Sequence, residues 1–159
     1  MARIVIVDAG PLIAFASIDA LSVLRALFSS IYMTESVKEE CQGKPCIDAR
    51  RIEAAVDEGW LVISPRVAGA VSLSPALGAG ESDSIRLALE PREESLLIVD
   101  DRLARRYALK QGLNIAGTVR LLDLSEQRGL IDSAEQCIQE MATVGYRISV
   151  ELLNLIRSE

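Results

Sequence analysis

The chain has 159 residues, half of them hydrophobic and a quarter charged, a length and balance that suit one globular domain with a full core and no staples. Aromatic residues make up only 4 %, so the core has to come from Leu, Ile, Val and Ala, which argues against a base-stacking nucleic-acid module. A net charge of -6 opposes a plain nucleic-acid-binding domain, whose affinity comes from neutralising phosphates, but leaves room for clustered carboxylates balanced by cations.

Arg3-Ile4-Val5-Ile6-Val7 is a short β-branched run closed by Asp8-Ala9-Gly10-Pro11, which reads as a buried strand ending in a turn. Pro11 suits the first turn of a helix. The recurrence of Leu12, Ile13, Phe15, Leu21, Leu24, Leu27 and Phe28 is helical, with a break near Asp19. Ile31-Tyr32-Met33 reads as a second strand, and Thr34 as the N-cap of a helix over 36–41. Gly43-Lys44-Pro45 marks a turn, 48–58 a helix closed by Gly59, and Trp60-Leu61-Val62-Ile63 a third strand.

Residues 66–80, with Gly69, Pro75, Gly78 and Gly80, read as the longest irregular stretch and as a candidate lid. A helix is predicted over 81–90, a strand over 95–99 running into Asp100-Asp101, a helix over 102–111 closed by Gly112, and a short strand at Asn114-Ile115-Ala116. Two or three helices follow. Strands alternate with helices and are apolar throughout rather than every second residue. That pattern predicts an α/β fold, a three-layer α/β/α sandwich around a mainly parallel sheet, as a single domain over 1–159.

The sequence contains no histidine, which removes Ser-His-Asp and Cys-His chemistry and every His-ligated metal centre. Any hydrolytic chemistry must run on carboxylates. The three cysteines, Cys41, Cys46 and Cys137, are an odd number without zinc-motif spacing, and they read as packing thiols, with a local Cys41–Cys46 bridge as the alternative. The N-terminal apolar run is too short for a signal sequence, and no stretch approaches the ~20 apolar residues of a membrane span. A cytoplasmic protein with no membrane contact is the expectation.

Ligands of open parallel sheets bind outside the carboxyl ends of the strands. Two predicted strands end in acids there, on Asp8 and on Asp100-Asp101, and Glu40 and Glu81 sit on helices able to join them. Asp83, two residues beyond Glu81, points away from it yet has reach to the rim. Each acid alone has an ordinary structural reading. Asp8 is turn chemistry, Glu40 a solvated face, Glu81 the favourable anion of a first turn, and Asp101 an N-cap before Arg102. Together they would repel one another unless protonated or bridged, and a hard divalent cation resolves that conflict, with Mg²⁺ or Mn²⁺ favoured by oxygen-only ligands.

The stretches Ile4-Val5-Ile6-Val7-Asp8-Ala9-Gly10-Pro11-Leu12-Ile13, Val37-Lys38-Glu39-Glu40, Leu77-Gly78-Ala79-Gly80-Glu81-Ser82, Leu97-Ile98-Val99-Asp100-Asp101-Arg102 and Gly117-Thr118-Val119-Arg120-Leu121-Leu122 occur in an order that resembles the PIN-domain ribonucleases, in a prokaryotic branch related to toxin–antitoxin systems. The resemblance implies a metal-dependent endoribonuclease, with Asp8, Glu40, Glu81 and either Asp100 or Asp101 as catalytic metal ligands. Ser82 and Asp83 are the neighbours that compete with Glu81. It also implies an RNA substrate, an antitoxin partner, a homodimer built on helices around Leu21–Phe28 or Leu121–Leu124, and phosphate contacts from Arg102, Arg105 or Arg106. Arg120 departs from the small residue expected after the Gly-Thr-hydrophobic turn. A non-catalytic PIN-like binding or dimerisation module is the alternative. An aspartyl-phosphate phosphatase is disfavoured, because Gly10 stands where its second acid would be.

Overall fold

The structure, a computed structural model, describes residues 4–43, 47–64, 73–90 and 94–146. The first strand, β1 (Ile4–Val7), is the centre of a five-stranded sheet with β2 (Ile31–Met33), β3 (Leu61–Ile63), β4 (Ser95–Ile98) and β5 (Asn114–Ala116) in the order β3-β2-β1-β4-β5. Every pairing is parallel. Strand β1 aligns with β4 from Ile4 opposite Ser95 to Val7 opposite Ile98, so the two strands end level with each other. The connection from β3 to β4 crosses to the far side of β1, which makes the gap between the ends of β1 and β4 the switch point of the sheet.

Apolarity on both strand faces has its counterpart in two cores. Val5, Val7, Leu96 and Ile98 face one core, shared with α1 (Ala9–Ser17), α2 (Leu21–Phe28), α4 (Ile47–Asp57), α7 (Thr118–Gln127) and α8 (Ala134–Thr143). The intervening Ile6 and Leu97, with Val99 beyond the strand end, face the other core, under α5 (Ala79–Leu89) and α6 (Arg102–Lys110). The protein is therefore the α/β/α sandwich expected of a parallel sheet, with the central strands β1 and β4 buried on both faces.

The break near Asp19 is real. Asp19 has φ 55, the left-handed conformation that Asp tolerates better than most residues, and α1 and α2 turn 120° from each other. The Arg51 guanidinium on α4 donates at 2.7 Å to the Ala16 carbonyl, which also accepts from the Asp19 N–H at 3.1 Å, so α4 braces the end of α1. No single helix among the described residues is long and apolar enough to cross a membrane.

Several predicted boundaries shift by one or two residues. Helix α5 starts at Ala79 rather than Glu81, because Gly78 is extended (φ -65, ψ 163) and serves as N-cap. Helix α4 starts at Ile47, and β4 ends at Ile98. Of the lid predicted over 66–80, residues 66–72 lie outside the described residues, as does Cys46, and 73–80 lie within them.

Candidate metal-binding rim

Asp8 follows β1 directly and occupies the N-cap position of α1, yet its side chain makes no capping hydrogen bond. Its backbone N–H donates to the Ile98 carbonyl at 2.9 Å, which fixes it beside the end of β4. The carboxylate is 5 % exposed, and its Oδ1 is buried with no hydrogen-bond partner. A buried acid in that position is costly to ionise. Burial chiefly, offset in part by the Ala9 N–H and reinforced by the charges of Glu81, Glu40 and Asp101, raises Asp8 from 3.8 to about 7.

Glu40 comes from the last turn of α3 (Glu35–Cys41), a helix started by Thr34, whose side chain accepts from the Val37 N–H at 3.2 Å. Desolvation and the charge of Glu81 push Glu40 upward as well. Glu81 sits at the third position of α5, with its carboxylate folded back over Gly78. Gly80 allows these elements to meet. A Cβ there would stand 3.0 Å from Glu40 Oε2, tighter than an ordinary contact, and 3.6 Å from Asp8 Oδ1, so the missing side chain eases the approach of α5 to Glu40 in particular.

The two acids after β4 differ. Asp101 is exposed and caps α6, its Oδ2 accepting from the Ala104 N–H at 2.9 Å. The ordinary reading of this residue is thus met, while its charge still reaches Asp8. Asp100 is buried and held by three donors. The Thr118 N–H reaches Oδ1 at 2.7 Å, and the hydroxyls of Thr118 and Tyr146 each reach Oδ2 at 2.5 Å. Burial, then the Asp100 charge, pushes the Tyr146 hydroxyl far up, so it remains a donor.

Of the other residues singled out by sequence, Ser82 is buried, and Asp83 turns to α3, accepting from the Ser36 hydroxyl while pairing with Arg86 at 3.2 Å. Arg105 is a correction. It is buried and donates to the Val99 carbonyl at 3.0 Å, so it braces the turn after β4 and is not available to phosphate. Arg102 and Arg106 are exposed on the same helix.

Sequence reasoning missed the roles of Thr118 and Tyr146. Thr118 lay within a quoted stretch without a role, and Tyr146 had no local signal, because its partner is 46 residues away.

Asp8, Glu40, Glu81 and Asp101 thus share one electrostatic neighbourhood, and Asp100 is fixed beside it. Among the described residues, no three of these acids yet close on a single point as a ready cage. The chemistry nonetheless fits a hard cation, since all the donors are oxygens and one buried carboxylate oxygen has no partner of its own. A cleft of about 620 Å³ lies elsewhere, between β5, α2 and α7, and contains none of the rim acids. Volume is the weaker guide here, because a site for a hydrated ion and a backbone phosphate needs charge at the surface rather than an enclosed hole.

A family model described as the PIN domain matches residues 4–159. Among solved structures, a PilT N-terminus domain protein from the hyperthermophilic archaeon Sulfolobus solfataricus P2 superposes with a TM-score of 0.55 at 18% identity, covering 77% of this chain and 93% of that one. At that identity the likeness shows the fold alone. No curated protein matches the chain.

Proposed function

The chain belongs to the PIN-domain family, whose members are typically nucleases, and we propose that it is a divalent-metal-dependent endoribonuclease acting through the rim of Asp8, Glu40, Glu81 and the Asp100-Asp101 pair. The observation that carries this reading is the buried, unpartnered oxygen of Asp8 facing other acids. A carboxylate in that position is held at a cost unless a cation balances it. Asp8, Glu40 and Glu81 would hold Mg²⁺ or Mn²⁺, with Asp100 or Asp101 completing the set.

The bound ion supplies an activated water and a Lewis acid for the phosphodiester. The protein's own residues do the remaining work. Asp8 must give up its proton before it can bind the ion, and its raised pKa places that event near neutral pH. Gly80 keeps α5 close enough for Glu40 and Asp8 to act together. Arg102 and Arg106, exposed on the helix that Asp101 caps, would meet substrate phosphate.

The test is cleavage of end-labelled single-stranded and structured RNA in Mn²⁺, Mg²⁺ or EDTA, with Asp8→Asn protein purified in parallel. Metal-dependent cutting that the variant loses supports the reading, whereas equal cutting by both would expose a contaminating nuclease. A toxin role, with an antitoxin that silences the enzyme, is the finer form of the same proposal, and co-purification of a neighbouring gene product would test it. The homodimer has a candidate seam where Leu27 and Phe28 of α2 face Leu121 and Leu124 of α7 across the 620 Å³ cleft, and light scattering checks it. The open state of the acid rim keeps one rival alive, a non-catalytic binding module, which wild-type protein that binds no Mn²⁺ would favour.

A further inference from the structure

Helix α8 ends at Thr143, and the chain then reverses through Val144, Gly145 and Tyr146. The Gly145 N–H bonds the Ala142 carbonyl at 3.2 Å and the Tyr146 N–H bonds the Met141 carbonyl at 2.9 Å, with Gly145 at φ 105. These are the two bonds and the left-handed glycine of a Schellman turn. The turn aims the half-buried Tyr146 ring back across the end of the sheet. Its hydroxyl reaches Asp100 Oδ2 at 2.5 Å, and a Cβ on Gly10 would stand 3.5 Å from that Tyr146 hydroxyl oxygen. Tyr146 thus bridges the end of β4 and the first turn of α1, the two places from which Asp100 and Asp8 emerge.

Thr118 approaches Asp100 from the start of α7 with both its N–H and its hydroxyl. A carboxylate offers about four lone-pair sites, and these donors take three, so Asp100 cannot rotate. An interior of apolar side chains would have closed this corner without burying a charge. A fixed charge beside an unpartnered one points to a positional requirement.

We infer that Tyr146 and Thr118 are positioning residues for the metal site, clamping the Asp100 carboxylate so that its remaining lone pair faces the rim. The inference rests on the metal reading of that rim. Through this clamp the helical hairpin of α7 and α8, which carries none of the proposed ligands, sets the affinity for the ion.

The test is a Mn²⁺ titration followed by the electron paramagnetic resonance signal of the free ion, at a temperature where circular dichroism shows every protein folded. Tyr146→Phe and Thr118→Val are expected to weaken binding by about tenfold or more, the usual effect of removing a group that orients a metal ligand. Thr118→Ser, which keeps the hydroxyl, is expected to bind as the wild type does. A folded Tyr146→Phe protein with wild-type affinity would overturn the inference and leave the metal reading intact. If Tyr146→Phe does not fold, the Thr118 pair decides, and equal affinities of the Val and Ser variants overturn the clamp. Wild-type protein that binds no Mn²⁺, or Asp8→Asn protein that binds it unchanged, would remove the metal reading and this inference with it.

Discussion

Asp8 concentrates the chemistry of this protein in one carboxyl group. A rise from 3.8 to about 7 corresponds to a penalty of roughly 4 kcal/mol on the ionised form, an upper bound because the rim can relax. The folded state holds the proton more tightly than the unfolded chain, so this group's contribution to stability is fully present below pH 3.8 and is lost as pH rises to about 7. Asp8→Asn removes the titration. In EDTA the variant should melt above the wild type, by a gap that opens between about pH 4 and 7 and then levels off, as differential scanning calorimetry across that range would show. A gap that shrank with rising pH would contradict the burial argument. Gly80→Ala tests the close approach. Alanine favours a helix interior by about 1 kcal/mol over glycine, so stability should hold or rise slightly, while the displaced Glu40 carboxylate should cost Mn²⁺ affinity in a titration.

Elements deliver the acids, and their ends matter more than their middles. Strands β1 and β4 pair in register and end level, which brings Asp8, next after Val7, and Asp100, two residues after Ile98, to the same rim. Helix α3 delivers Glu40 only if it starts where it does, and Thr34 sets that start. Thr34→Ala should cost about 1 kcal/mol, a fall of roughly 2–4 °C in melting temperature for a chain of this size. The same variant should weaken Mn²⁺ binding, because fraying at the start of α3 is transmitted along its two turns to Glu40. An unchanged melting temperature would show that tertiary packing, with Val37 buried beneath it, holds α3 without its cap. The Ser36–Asp83 contact ties α3 to α5, so the helices that carry Glu40 and Glu81 are joined by a residue that sequence alone placed among the ligand candidates.

At the scale of the whole molecule, the sheet order creates the site. The chain crosses from β3 over β1 to β4, which opens a crevice between the strands that end on acids. An ion bound there should stabilise the folded state by mass action, by about 2.7 kcal/mol at a hundredfold excess over its Kd. Because the ion competes with the proton on Asp8, the Mn²⁺-induced rise in melting temperature should grow from pH 6 to pH 8. A thermal shift independent of pH would place the ion away from Asp8. The acidic net charge also belongs to this scale, since on the proposed function a bound cation, with Arg102 and Arg106, would supply the local attraction for a polyanionic substrate.

The parallel α/β architecture and the strand-end acids were legible in the sequence, because fully buried strands read as continuous apolar runs and because Asp8 lies immediately beyond β1 and Asp100 two residues beyond β4. Helix periodicity, the kink at Asp19 and the Thr34 cap are likewise local and leave local marks. What tertiary structure alone decided is which polar groups meet across distance. Arg105 looked like a phosphate contact and is a buried brace, since the two roles leave the same mark in a helix. Asp100 and Asp101 are neighbours in sequence with opposite duties, one clamped in the interior and the other capping a helix at the surface. Tyr146 reaches Asp100 only through the turn at the end of α8, a contact that no periodicity encodes because its geometry depends on the packing of α8 against the rest of the fold.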